Sequence, residues 1–219
     1  MEGLVASSAR EVVLGRIRAA KGAAPSAEAV QAGWDGVRRQ YQRSARREGR
    51  EVIELLIDRL HDYDAQVLEV ERGGVADAVA KMMTARGVQR MVVPAGLRTD
   101  ALVPGFEFVV DEGLSHEELN HVDGVVTECT VAIAETGTIV LQNVPGQGRR
   151  AITLVPDYQL CVVDVAKIVE TVPEAMDRLA ATAGLATTFF SGPSATADIE
   201  MTRIKGVHGP RFLDVILVD

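Results

Sequence analysis

Three segments in the second half of the chain concentrate residue types that handle small anions and protons. The densest, Ser191-Gly192-Pro193-Ser194-Ala195-Thr196-Ala197-Asp198-Ile199-Glu200, follows a run of strand character at Thr187–Phe190. Hydroxyls and glycine placed after a buried strand leave backbone N–H groups free to face an anion, and a helix starting near Thr196 would add the positive end of its dipole. Ser191, Gly192, Ser194, Thr196, Asp198 and Glu200 are therefore candidate contacts to a carboxylate or phosphate, although the same composition also suits a turn that only reverses the chain. The second segment, Ala134-Glu135-Thr136-Gly137-Thr138, sets a carboxylate between two apolar runs. Such a carboxylate is either reactive, as nucleophile, base or substrate ligand, or it pins a sharp turn by accepting from Thr136 and Thr138. Glu135 is the candidate catalytic carboxylate, with Thr136, Gly137 and Thr138 as neighbouring contacts. In the third, Gly206-Val207-His208-Gly209-Pro210-Arg211, glycines allow close backbone approach. His208 there offers acid–base chemistry, and Gly209, Arg211 and nearby Arg203 offer anion contacts.

Other patterns carry less. Gly146-Gln147-Gly148-Arg149-Arg150-Ala151 matches the form G-x-G-x-x-A, but the dinucleotide fingerprint needs a helix to begin there. The following Ile152–Val155 predicts a strand, so the match is read as accidental, with Arg149 and Arg150 kept as candidate anion contacts. His61, His116 and His121 have no HExxH or i, i+4 relation, and no Walker A sequence occurs. The two cysteines, Cys129 and Cys161, lie far apart in sequence with no CxxC, so they encode neither a disulfide framework nor a cysteine-ligated cluster. They read as small buried hydrophobes. No metal and no cofactor are expected.

The elements that must position these segments read as α/β. Aromatics are only 4% of 219 residues while apolar residues reach 47%, so Val, Leu, Ile and Ala must fill the core, as in buried strands flanked by helices. Residues 26–60 predict two helices, the first capped by Ser26 with Val30, Trp34, Val37 and Tyr41 on one face. Gly49 breaks the pattern before Val52, Leu55, Leu56, Leu60 and Tyr63 resume it. From Ala65 onward strand and helix alternate. Val67–Val70 predicts a strand, and Val75–Arg86 a helix closed by Gly87. Strands follow at Met91–Val93 and Phe106–Val110, then a short helix opened by a Ser115-x-x-Glu118 capping box. The most apolar stretch, Val122–Leu141, must include at least two buried strands, Val131–Ala134 and Thr138–Leu141. Beyond it, strands are predicted at Ile152–Val155, Leu160–Val163, Thr187–Phe190 and Leu213–Val218, with a helix over Pro173–Ala183 boxed by Thr171 and Glu174. The expected organisation is an N-terminal helical arm, residues 1–62, and an α/β domain, residues 63–219, whose mostly parallel sheet is flanked by helices.

Charge is unevenly spread. Residues 1–60 hold eleven basic and eight acidic side chains, whereas residues 61–219 hold twelve basic and twenty-three acidic. The overall balance of −8 argues against a general nucleic-acid binder. The arginines at 38, 39, 43, 46, 47 and 50 read as a solvated face or as a docking surface for an acidic partner or nucleic acid. No run approaches the roughly 18 apolar residues of a membrane span, and charges spaced along the first 21 residues leave no apolar core for a signal peptide. A cytoplasmic location is expected.

Ala132–Thr138, the Ser191–Ser194 and Thr196–Glu200 loop, and Gly206–Arg211 leading into Val215–Val218 together resemble the LUD family, over roughly residues 65–219. The resemblance implies a fold similar to the NagB/RpiA/CoA-transferase group. It also implies action with two partner proteins in oxidising L-lactate to pyruvate, those partners carrying the iron–sulphur ligands. The family often has Arg where this chain has Ala195. Three expectations stay open. The chain is an accessory component of such a complex, binding a small carboxylate or phosphorylated metabolite, or a partner, through the loops around Glu135, Ser191–Glu200 and His208. Alternatively it is a free-standing enzyme using Glu135 on an acyl or sugar-phosphate substrate, or a metabolite-sensing regulatory protein.

Overall fold

In the computed structural model, which describes residues 8–196, 204–206 and 208–219, the chain divides into two compact units, Met1–Tyr41 and Gln42–Asp219. The first holds two short helices. α1 (Ala9–Lys21) opens on a capping box between Ser8 and Glu11, and α2 (Ala27–Asp35) is capped by the Ser26 hydroxyl, as its sequence implies. The α2 face does not continue through Val37 and Tyr41. Gly33 and Gly36 weaken its last turn, and the Gly36 N–H closes it onto the carbonyls of Ala32 and Trp34. Neither helix buries a residue.

The second unit begins with α3 (Arg50–Asp62), β1 (Gln66–Val70), α4 (Val75–Arg86), β2 (Arg90–Val93), β3 (Glu107–Val110), α5 (His116–Leu119), β4 (Gly124–Glu128), β5 (Val131–Ile133) and β6 (Thr138–Gln142). It continues with β7 (Tyr158–Asp164), β8 (Ile168–Val169), α6 (Val172–Leu179), β9 (Thr187–Ser191), β10 (Ala195–Thr196), β11 (Ile204–Lys205) and β12 (Phe212–Val218). Six strands form an all-parallel sheet in the order β1-β12-β7-β4-β2-β3. A second, mixed sheet has the order β8-β5-β6-β9.

Strand periodicity divides the core. On β7 and β12, Leu160, Val162, Ile216 and Val218 pack with Val79, Met82 and Met83 of α4. The alternate residues Cys161, Val163, Leu213, Val215 and Leu217 pack with Leu56 and Leu60 of α3 and with Ala132, Ile139 and Leu141 of the second sheet. Burial on both faces explains why these strands read as continuous apolar runs. α3, grouped with the arm in the sequence reading, thus contributes core side chains to the second unit. The predicted helix Val75–Arg86 ends at Gly87 in the left-handed conformation, φ 67°, and the boxes at Ser115/Glu118 and Thr171/Glu174 both form.

One predicted element differs. Ile152–Val155 is not a strand: Arg150–Thr153 is a turn of 3-10 helix, closed by the Arg150 guanidinium on the Thr153 carbonyl and hydroxyl. Its apolar content serves a different end, since Ile152 is buried against Val92, Leu119, Val122 and Val125. Ala195–Thr196 pairs antiparallel with Ile204–Lys205, and the helix expected near Thr196 falls on residues 197–203, outside the described residues. The apolar stretch at Val122–Leu141 holds a third strand, β4, with Gly124–Thr127 buried. A Cβ at Gly124 would stand 2.7 Å from the Tyr158 carbonyl oxygen, so only glycine permits that close approach to β7.

Candidate functional site

The second sheet brings two of the three polar segments together. β6 and β9 are in register at Thr138 and Ser191, and this aligns a chain of hydroxyls: Thr136 Oγ1 to Thr138 Oγ1 at 2.7 Å, and Thr138 Oγ1 to Ser191 Oγ at 2.7 Å. Beyond Ser191 the chain turns at Gly192, φ 79°, where a Cβ would lie 2.4 Å from the Tyr63 Cβ. A side chain there is excluded by both conformation and space. The third segment then docks on Ser194. Its N–H donates to the Pro210 carbonyl (2.8 Å), its carbonyl accepts from Gly206 (2.9 Å), and its hydroxyl accepts from the His208 N–H (3.0 Å).

A cavity of 270 Å³ lies between these loops, lined by Ser191, Gly192, Ser194, His208 and Gly209, and by Arg150, Thr153 and Gln159 from the neighbouring structure. Phe189, Phe190 and Leu213 supply its apolar wall. It sits where β9 ends and where β7 and β12 begin, so the motifs converge at the amino ends of two central parallel strands. The usual ligand crevice of such a sheet, outside the carboxyl ends at the switch point between β2 and β4, is filled by the 142–150 loop. The Gly146 N–H donates to Ala95 O (2.9 Å) and its carbonyl accepts from Glu128 N–H (2.8 Å). A Cβ at Gly96 would stand 2.7 Å from the Pro145 Cβ. The formal G-x-G-x-x-A match is thus the plug of that crevice.

The remaining candidates are placed as follows. Glu135 is exposed at the β5–β6 turn, where the Gly137 N–H closes on Ala134 O (3.3 Å) and Gly137, φ 60°, abuts Arg59 of α3. It does not line the cavity, although Thr136 beside it joins the hydroxyl chain. Arg211 turns away. It covers Gly206, approaches Asp157 with Nε at 3.5 Å, and lines a separate 550 Å³ cleft with Arg86, Asp123, Tyr158 and Phe212. Asp198, Glu200 and Arg203 lie outside the described residues, and the backbone of Thr196 is in β10. Arg149 and Arg150, neighbours in sequence, separate in role. Arg149 is bidentate to Asp111 (2.8 and 2.8 Å) and holds that carboxyl below its ordinary range. Arg150 has no carboxylate partner among the described residues, and desolvation lowers its pKa.

Sequence reasoning did not single out the buried carboxylates. Asp214, fully buried on β12, accepts from Arg86 Nε and Nη2 (2.9 and 2.6 Å), Tyr158 Oη (3.0 Å) and the Gln66 N–H (3.3 Å). Burial and the nearby Asp214 charge push the Tyr158 phenol well above its usual range. Glu170, 2% exposed, holds the segment entering α3: its Oε2 accepts from the N–H groups of Arg46 and Arg47 (2.7 Å each) and Oε1 from the Arg47 guanidinium (2.9 Å). Nothing in their local sequence distinguishes these carboxylates from surface ones. Cys129 and Cys161 are both buried, and burial, with the Cys129 thiol alongside, raises the Cys161 pKa; a thiol so held is a poor nucleophile. Among the described residues no group of three or more His, Cys, Asp or Glu could hold a metal ion, and no helix is long and apolar enough to cross a membrane.

Residues 51–218 match the family described as the LUD domain. Lactate utilization protein C of Deinococcus radiodurans is 44% identical over 77% of this chain and 80% of its own length. Lactate utilization protein C of Bacillus velezensis is 25% identical over 82% of this chain and 83% of its own. The crystal structure of a DUF162 family protein from Deinococcus radiodurans aligns with a TM-score of 0.68 and 41% identity, covering 77% of this chain and 97% of that one.

Proposed function

The chain belongs to the LUD domain family, and from that premise we propose that it is the component without iron–sulphur ligands of a cytoplasmic system that oxidises L-lactate to pyruvate. Its relatives' names support a role in lactate utilisation. Both cysteines are buried and cannot hold a cluster, so in this reading electrons pass through cysteine-rich iron–sulphur partners, and this chain contributes binding. The observation that carries the binding role is the convergence of Ser191, Ser194 and His208 with Arg150 around one cavity. Hydroxyls, a backbone turn and a cation in a partly enclosed site suit a small carboxylate or another compact anion. The reading of Glu135 as the nucleophile of a free-standing enzyme finds less support, because its carboxylate stands at an exposed turn outside that cavity.

Lactate-dependent dye reduction in extracts of cells lacking this chain tests the proposal. The rate is expected to collapse and to return when the purified chain is added back, and cysteine-rich iron proteins are expected to co-purify with it. Partner proteins that oxidise lactate at full rate without this chain would sink the idea.

A further inference from the structure

The second unit uses one arginine geometry repeatedly. Arg86, Arg98 and Arg149 each present Nε and Nη2 to the two oxygens of an aspartate, at 2.9 and 2.6 Å for Asp214, 2.6 and 2.6 Å for Asp100, and 2.8 and 2.8 Å for Asp111. That edge of a guanidinium matches a planar carboxylate. Arg150 is built differently. Its Nη1 is pinned to the Thr153 carbonyl (2.9 Å) and hydroxyl (3.0 Å), and the Thr153 hydroxyl in turn donates to the Arg150 carbonyl (3.2 Å). The side chain is thereby fixed through one nitrogen, while the Nε–Nη2 edge has no partner among the described residues. Arg150 is among the residues that line the cavity shared with Ser191, Ser194 and His208, and with Thr153 it also borders a further cavity of 210 Å³.

We propose that Arg150 anchors the carboxylate of a short-chain 2-hydroxy or 2-oxo monocarboxylate in the Ser194–His208 cavity, which deepens, and rests on, the reading of these loops as an anion site. The ligand class follows from the surroundings. One guanidinium edge matches one carboxylate, and the other polar groups named, the hydroxyls of Thr153, Ser191 and Ser194 and the amide of Gln159, are uncharged and suit a hydroxyl or carbonyl next to it. At 270 Å³ the cavity lies below the roughly 300–1,000 Å³ of pockets for larger ligands, which disfavours a nucleotide or an acyl-CoA. Arg150 is exposed, so its unpartnered edge is open to a ligand, and a bound carboxylate would match it with two parallel charge-assisted bonds.

Calorimetric titration of the full chain with L-lactate, pyruvate, propionate and inorganic phosphate tests this. L-lactate or pyruvate is expected to bind at one site, more tightly than propionate and phosphate. Arg150→Gln is expected to weaken it about tenfold or more, and Arg150→Lys to restore only part of the loss, because an ammonium lacks the two-nitrogen edge. Arg72→Gln, at an exposed ion pair with Asp164, serves as the unaffected control. Ser194→Ala is expected to reduce the preference for L-lactate or pyruvate over propionate. No carboxylate binding, phosphate binding tighter than either acid, or undiminished affinity in Arg150→Gln would each overturn the proposal. Should Arg150→Gln fail to fold, Arg150→Lys is read alone, and affinity equal to the unsubstituted chain overturns it. Dye reduction in extracts separates the two readings. Full-rate oxidation without the chain, alongside Arg150-dependent binding, removes the lactate-oxidation role and keeps the site. Loss of oxidation without any acid binding removes the site and keeps the role.

Discussion

Glu170 is a carboxylate that burial alone would disfavour, held ionised by what it accepts. The Arg47 N–H lowers its pKa most, desolvation opposes, and the Arg46 N–H and Arg47 guanidinium add to the lowering. A depressed folded-state pKa stabilises the fold fully above the unfolded carboxylate value, and the contribution is lost as pH falls through the depressed value. The melting temperature of Glu170→Gln is therefore expected to fall below that of the unsubstituted chain by a constant margin from neutrality to about pH 5, and the gap to narrow below about pH 4. Thermal melts across that range check this, and a gap that widens on acidification would exclude the ionised latch. Limited trypsin digestion of Glu170→Gln is expected to cut faster after Arg46 and Arg47, because two of the bonds that fix this backbone go to one carboxylate oxygen. Arg150 makes the same point from the opposite side. Its neighbour Arg149 has its charge matched by Asp111 within the fold, whereas Arg150 is held by Thr153 with its carboxylate-binding edge unmatched.

At the scale of elements, α3 shows how a helix legible from its apolar period is anchored by packing rather than by its cap. Its N-cap is Gly49 without a side-chain bond, so capping contributes little. Its anchors are Leu56 and Leu60, both fully buried against β12 and the second sheet. Leu60→Ala is expected to cost about 2–5 kcal/mol, the range for truncating a core leucine. Thr171→Ala, which removes the capping box of α6, is expected to cost only about 1 kcal/mol. Chemical denaturation of the two variants orders these effects, and a larger cost for the cap than for the core leucine would contradict this account. The Ile152–Thr153 turn carries the same lesson. An apolar run of strand-like composition became a 3-10 turn because Arg150 bonds back onto Thr153 and Ile152 finds its core sideways.

At the scale of the whole molecule, α1 and α2 bury no residue, while the second unit has cores on both faces of its parallel sheet. A chain starting at Gln42 is expected to unfold in one cooperative transition with a melting temperature within about 2 °C of the full chain, measured by calorimetry; a large drop would show that the first unit supports the second. The sequence by itself determined the α/β alternation, most of the buried strands, the caps at Ser26, Ser115 and Thr171, and the glycine end of α4. These depend on periods of two and about 3.6 and on bonds within four residues, which a linear reading can follow. It also marked Ser191, Ser194 and Arg150 as chemically suited to anions and His208 to acid–base chemistry. Only the tertiary structure decided which of them meet. Ser194 bonds to segments 12 to 16 residues onward, Ser191 pairs with Thr138 across a second sheet that local pattern did not reveal, and Glu135 stays at an exposed turn. The physical reason is register. Strand pairing between distant segments sets which side chains share a face, and the tertiary neighbours then decide whether a buried carboxylate such as Glu170 finds its donors inside the fold and whether an arginine such as Arg150 keeps one edge unmatched.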